Sequence, residues 1–235
     1  LQSIGFNAFG ESAEGQICGV NTVVFPIGLL SISESAFNGA LSLKHVTIPS
    51  SMTELGKNAF KDCISLSSVV FGPDSKLQII SKGTFLNTAL SSIEIPAKVT
   101  NIEDSAFGSC TSLNSVTFER GSRLSVIGSY AFTETVMNTF SFPASVTEIG
   151  GFIFDGNENI ASVLFRCGAT TKLIINSDAF TKSGPNKFNV TVAVPRAAVY
   201  DGSKRETLSC AQVGDECPSM DDCNSAGLYC YVENK

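Results

Sequence analysis

The side chains able to do chemistry in this chain are few and scattered. One histidine, His45, stands among eight cysteines in 235 residues. A general base needs a nucleophile within hydrogen-bond reach. His45 lies in an alternating apolar/polar run that turns it outward, whereas Cys63 belongs to a column of small residues that turns inward, so the two are not expected to meet. No glycine-rich phosphate loop, H-E-x-x-H zinc pattern or D-x-D calcium loop occurs. Asp215-Glu216 and Asp221-Asp222 read as solvated pairs. No catalytic residue, metal ligand or cofactor is expected, and the chain does not read as an enzyme.

The cysteines fall into two classes. Cys210, Cys217, Cys223 and Cys230 crowd into the last part of the chain among Gly, Asp, Ser and Pro, without histidine and without the C-x2-C pairs of zinc sites. They read as two disulfides in any of three connectivities, which implies an oxidising compartment. Asn189-Val190-Thr191 is a lone glycosylation sequon and supports the same setting weakly. Cys63 and Cys110 lie two repeats apart, roughly 10 Å at strand spacing and too far to bridge. They are expected to be buried free thiols, and Cys18 and Cys167 are also expected to be free.

Net charge is −6, and residues 209–235 carry five carboxylates against Lys235, leaving −4 of it in an acidic tail. This balance argues against nucleic acid. The longest apolar stretch, Val20 to Ile32, is broken by Asn21, Pro26, Gly28 and Ser31, so no membrane span is expected. Leu1 already sits inside the repeat described next, which makes the start read as a mature or truncated boundary.

An element must position whatever function exists, and that element is a repeat. Phenylalanine recurs at 9, 37, 60, 85, 107, 132, 154 and 180, at intervals of 28, 23, 25, 22, 25, 22 and 26 residues. Five residues before each stands Ile or Leu (Ile4, Ile32, Leu55, Ile80, Ile102, Ile127, Ile149, Ile175), and eight before it an apolar residue, with Lys172 the exception. After each Phe comes an L-x-x-V-x-I block, as in Leu43-x-x-Val46-x-Ile48-Pro49 and Leu66-x-x-Val69-x-Phe71. Apolar residues two apart mark a short half-buried strand, and the following Pro ends it. One unit of this size cannot bury its own apolar residues, but stacked units can. The glycines after the Ile column (Gly5, Gly56, Gly128, Gly150) are expected to supply a left-handed turn. Polar inserts at Gly72–Lys76 and Gly121–Arg123 are expected on an outer loop.

The pattern L-x-x-I-x-x-x-A-F-x-x-C-x-x-L-x-x-V-x-I-P resembles the BspA-like leucine-rich repeats. Gly56-Lys-Asn-Ala-Phe60-Lys-Asp-Cys63-Ile-Ser-Leu66 is the closest copy, and the resemblance covers about 1–200. It implies a right-handed, mainly β solenoid of about eight units, with short strands on one face and little helix. A 201–208 linker and a small acidic cysteine-rich tail over 209–235 complete the expected organisation. For function the resemblance implies a microbial surface setting, adhesion and protein recognition.

The outward strand positions then form one expected stripe. It comprises His45, Thr47, Ser68, Val70, Ser92, Glu94, Ser115, Thr117, Thr139, Ser141, Ser162 and Leu164, flanked by Thr22, Val24, Thr191 and Ala193. Extended solenoid surfaces of this kind bind partners. The sequence therefore points to an extracellular or cell-surface module for a host, neighbour-cell or matrix protein, with glycan as a further ligand. Two other readings stay open: a Ser/Thr surface for carbohydrate or ice, and a passive spacer in a larger surface protein.

Overall fold

The structure, a computed structural model, describes residues 2–10, 20–165, 174–176, 178–180, 191–193 and 199–201. Its strands run β1 Ser3–Ile4, β2 Thr22–Val24, β3 Ser31–Ile32, β4 His45–Ile48, β5 Glu54–Leu55, β6 Ser68–Phe71, β7 Ile79–Ile80, β8 Ser92–Ile95, β9 Asn101–Ile102, β10 Ser115–Phe118, β11 Val126–Ile127, β12 Thr139–Phe142, β13 Glu148–Ile149, β14 Ser162–Phe165, β15 Ile174–Asn176, β16 Thr191–Ala193 and β17 Val199–Asp201. All pairings are parallel and join each strand to the next but one. This is the signature of a coil that returns to the same face one turn later. No helix occurs among the described residues.

The expected columns are the interior. Phe37, Phe60, Phe85, Phe107, Phe132 and Phe154 are buried, as are Ile32, Leu55, Ile80, Ile102, Ile127 and Ile149. Successive Phe rings stack at 5.2 Å (37 to 60), 5.7 Å (60 to 85), 5.5 Å (85 to 107) and 5.5 Å (107 to 132), with interplanar angles of 15° or less. The coil spacing thus equals an aromatic stacking distance, and each ring fills the space above the last. Phe9 ends the stack, 4.9 Å from Phe37, and is 43% exposed.

Strands were expected on one face, and the structure has them on two. The Ile column forms its own sheet of two- and three-residue strands, β7-β9-β11-β13-β15-β17, preceded by β1-β3-β5. The buried Ile side chains point in, and their partners stand opposite in register, as Ile80 does to Ile102.

The left-handed positions are not those of the glycines after the Ile column. Positive φ falls two residues before and two residues after the Phe: Asn58 (55°) and Asp62 (57°) around Phe60, Gly83 (61°) and Asn87 (56°) around Phe85, Ser105 (53°) and Ser109 (54°) around Phe107, Tyr130 (58°) and Glu134 (54°) around Phe132. This alternation turns every second N–H toward the next coil. Asn58 N–H donates to Lys82 O (2.9 Å), Phe60 to Thr84 O (2.9 Å) and Asp62 to Leu86 O (2.9 Å), and Ser105, Phe107 and Ser109 repeat the pattern on Ser129, Ala131 and Thr133. The glycines after the Ile column serve another purpose. None of Gly56, Gly128 and Gly150 has positive φ, and a Cβ on Gly128 would lie 2.6 Å from Asp104 N and 2.8 Å from Glu103 C of the coil before it. They are glycine because a neighbouring backbone fills the side-chain space.

Candidate partner-binding surface

The long strands carry the expected stripe, but as three ladders. Hydrogen bonds join β2-β4-β6, then β8-β10, then β12-β14-β16. Prolines remove a donor at both interruptions. In the coils of β6 and β10 the residue after the strand still donates backward, Gly72 to Ile48 O (2.8 Å) and Glu119 to Ile95 O (3.0 Å), and both strands pair with their predecessor over four residues. Pro96 and Pro143 stand at that position after β8 and β12 and have no N–H to give to Phe71 and Phe118. Pro49 does the same after β4, whose pairing with β2 stops at Val24 and Thr47.

Phe140 adds to the second interruption. It occupies the inward position held by Val or Ile in the other strands, and its ring lies 5.0 Å from Phe132, 4.7 Å from Phe142, 5.2 Å from Phe154 and 6.0 Å from Phe118. The extra bulk stands β12 away from β10, and Val116 and Phe118 are only half-buried.

Within each ladder the stripe is in register. Thr22, His45 and Ser68 are neighbours, as are Val24, Thr47 and Val70. Ser92 pairs with Ser115 and Glu94 with Thr117; Thr139 pairs with Ser162 and Ser141 with Leu164. His45, Thr47, Val70, Ser92, Glu94, Thr117 and Thr139 are exposed, while Ser68, Ser115, Ser141 and Leu164 are half-buried; the side chain of Ser162 lies outside the described residues.

The surface is not uniform. Val24 is 86% exposed and Val70 55%, on either side of Thr47, which is costly apolar exposure in one spot. A concavity of about 340 Å³ opens there, lined by Val24, Ile27, His45, Thr47, Pro49 and Pro73. A second, of about 640 Å³, lies at the β10/β12 interruption, lined by Thr117, Glu119, Arg120, Ser122, Ser141 and Pro143. Sequence reasoning missed Ile27, Pro49, Pro73, Arg120 and Ser122, because they follow the strands and fall outside the period-2 pattern.

His45 and Cys63 are apart, one exposed on the strand face and the other fully buried. Cys63 and Cys110 are unbridged, and each Sγ–H donates to a carbonyl of the preceding coil, Phe37 O and Phe85 O, at 3.1 Å. Burial pushes the Cys63 thiol up to about 12 and raises that of Cys110 as well, despite its contact with Thr88. Such thiols are packing groups, not nucleophiles. Among the described residues no group of three or more His, Cys, Asp or Glu could hold a metal ion, and no helix is long and apolar enough to cross a membrane. Cys18, Cys167, Asn189, Cys210, Cys217, Cys223, Cys230, the 201–208 linker beyond Asp201 and the tail lie outside the described residues.

Known proteins agree with this architecture. A family described as BspA type leucine rich repeat region matches residues 2–85 and 78–198 in six copies. No curated protein matches the chain. Among solved structures, a leucine-rich repeat protein from Bacteroides ovatus is 25% identical over 75% of this chain and 49% of its own, with a TM-score of 0.57. The pneumococcal vaccine antigen PcpA is 21% identical over 72% of this chain and 37% of its own, with a TM-score of 0.49. The leucine-rich repeat protein of T. pallidum is 27% identical over 61% and 58%, with a TM-score of 0.41. The chain thus spans about half the length of the Bacteroides protein or less of the pneumococcal one. By fold, repeat spacing and the match along most of its length, this chain belongs to the BspA-type leucine-rich repeat family.

Proposed function

We propose that the solenoid is a non-catalytic recognition module of a cell surface or extracellular space, binding protein partners across its long-strand face. The observation that carries this is the exposed apolar pair Val24 and Val70 around Thr47, above a concavity and beside His45. Nothing in the fold requires apolar residues there, since Glu94, Thr117 and Ser141 fill the equivalent outward positions in the next three coils. Apolar side chains left on an otherwise polar stripe supply the desolvated centre that protein interfaces use. Family membership supports a surface setting, as does the cysteine pattern of the tail.

The test is capture of host-cell and matrix proteins by the full chain. Val24→Asp with Val70→Asp should lower capture at least tenfold while leaving thermal stability within about 0.5 kcal/mol. Replacing Ser92, Glu94 and Thr117 together with Lys should weaken it less. Unchanged capture in both variants sinks the strand-face reading.

A further inference from the structure

Beside the strand face, the turns that follow β6, β8 and β10 place three cations in one column. Lys76, Lys98 and Arg123 each stand nine residues before their Phe (85, 107 and 132). The backbone fixes their register: Arg123 N–H donates to Ala97 O (2.9 Å), the carbonyl just before Lys98, and Thr100 N–H donates to Gln78 O (2.8 Å), each two residues beyond its lysine. All three side chains are exposed, and Arg120 in the same insert adds a fourth.

Like charges stacked at coil spacing, about 5 Å, repel. Among the described residues no ion pair joins them to a carboxylate, although Asp74 and Glu119 lie in the same turns. The ion pairs among the described residues are Lys61 with Asp62 and Lys82 with Asp104, both elsewhere. Glu119 uses Oε2 to accept from Ala97 N–H (2.8 Å), and Lys98 Nζ reaches the backbone carbonyl of Asp74 rather than its carboxylate (3.2 Å). Arg120 lines the 640 Å³ concavity together with Glu119, Thr117, Ser122, Ser141 and Ser145, and Ser145 Oγ is buried without a hydrogen-bond partner. Ser145 continues the same column into the next coil.

We propose that this ridge, Lys76–Lys98–Arg123 with Arg120, binds an anionic polysaccharide laid along the solenoid axis. One cation per coil matches one acidic group per sugar ring, and hydroxyl-lined space beside the ridge suits sugar hydroxyls. An extended acidic peptide presents same-side residues about 6.6 Å apart and drifts out of step with a ridge of about 5 Å spacing. Single-stranded nucleic acid wants exposed aromatic platforms, and the ridge has none. The proposal does not rest on the strand-face reading.

The test uses the full chain with four probes: polygalacturonate oligomers, a sulfated glycosaminoglycan, neutral dextran and poly-glutamate. Binding to one or both anionic glycans, declining with salt and absent for dextran, is expected, and which of them binds separates uronate from sulfate. The triple variant Lys76→Ser, Lys98→Ser, Arg123→Ser should lose roughly tenfold or more in affinity and lower the salt slope by about three. Serine is the native residue of this column at Ser51 and Ser145, so the variant keeps the turn. Val24→Asp with Val70→Asp should leave glycan binding unchanged. No binding at low salt, equal binding by the triple variant, equal binding of poly-glutamate, or loss in the strand-face variant would each overturn the proposal.

Discussion

The phenylalanine corner and the long-strand face are built from the same coils yet obey different rules. At the corner the junctions from Phe37 to Phe132 repeat the same N–H···O bonds and a ring stack of 5.2–5.7 Å, whatever residues occupy the outer positions. On the strand face hydrogen bonding stops at two junctions, and the outward residues range from Val to His to Glu. Backbone regularity at the corner keeps the coils in register, so the strand face can lose ladder bonds and vary its side chains. Shape resides in one edge and side-chain variety in another.

The strongest way to break this contrast is at the corner. Phe85→Ala removes a ring that touches Phe60 and Phe107 and should cost about 3–5 kcal/mol in chemical denaturation. Outward substitutions such as Ser92→Ala should stay within about 0.5 kcal/mol. Comparable losses at both sites would erase the distinction.

Next comes the glycine at the coil-to-coil approach. Gly128→Ala pushes a methyl into the backbone of Glu103 and Asp104 and should cost about 1–3 kcal/mol. Thermal melts against the wild type would read the loss, and an unchanged midpoint would contradict the packing role.

The buried thiols sharpen the corner's chemistry. Burial raises the Cys63 pKa from 9.0 to about 12, so the folded chain holds that proton more tightly than the unfolded one. The resulting stability is complete below pH 9 and is lost as pH climbs toward 12. Replacing both Cys63 and Cys110 with Ala should flatten the fall relative to wild type, read as denaturation midpoints across that range. Parallel curves would contradict the assignment.

The smallest effect is expected on the strand face. Pro96→Ala supplies an N–H facing Phe71 O, and the gained bond roughly offsets the lost rigidity of proline in the unfolded chain. Stability should move by less than about 1 kcal/mol, while the new amide becomes protected from hydrogen exchange. An exposed, fast-exchanging amide would show that proline is not what interrupts the ladder.

Much of this was legible in the sequence because apolar residues at fixed spacing leave few places to go. The Phe, Ile and Leu columns had to face one interior, and period-2 alternation put His45, Thr47, Val70 and Glu94 outside. The left-handed corner was not legible. Its positive-φ positions hold Asn, Asp, Ser, Glu, Tyr and Phe as readily as Gly, since the demand comes from inter-coil hydrogen bonds and not from the residue itself. The glycines that were visible answer a packing need instead. The basic ridge escaped notice for a related reason: its residues lie in turns of unequal length, and only the coil register lines Lys76 up with Lys98 and Arg123.

The account depends most on the corner ladder, and amide exchange tests it directly. Asn58, Phe60, Asp62, Ser105, Phe107 and Ser109 sit in turns, where amides ordinarily exchange fast. Their donation to the next coil predicts protection equal to that of the strand amides of Val46 and Ile93, which face paired neighbours. Exchange at the rate of free turns would mean that the corner does not hold the coils together.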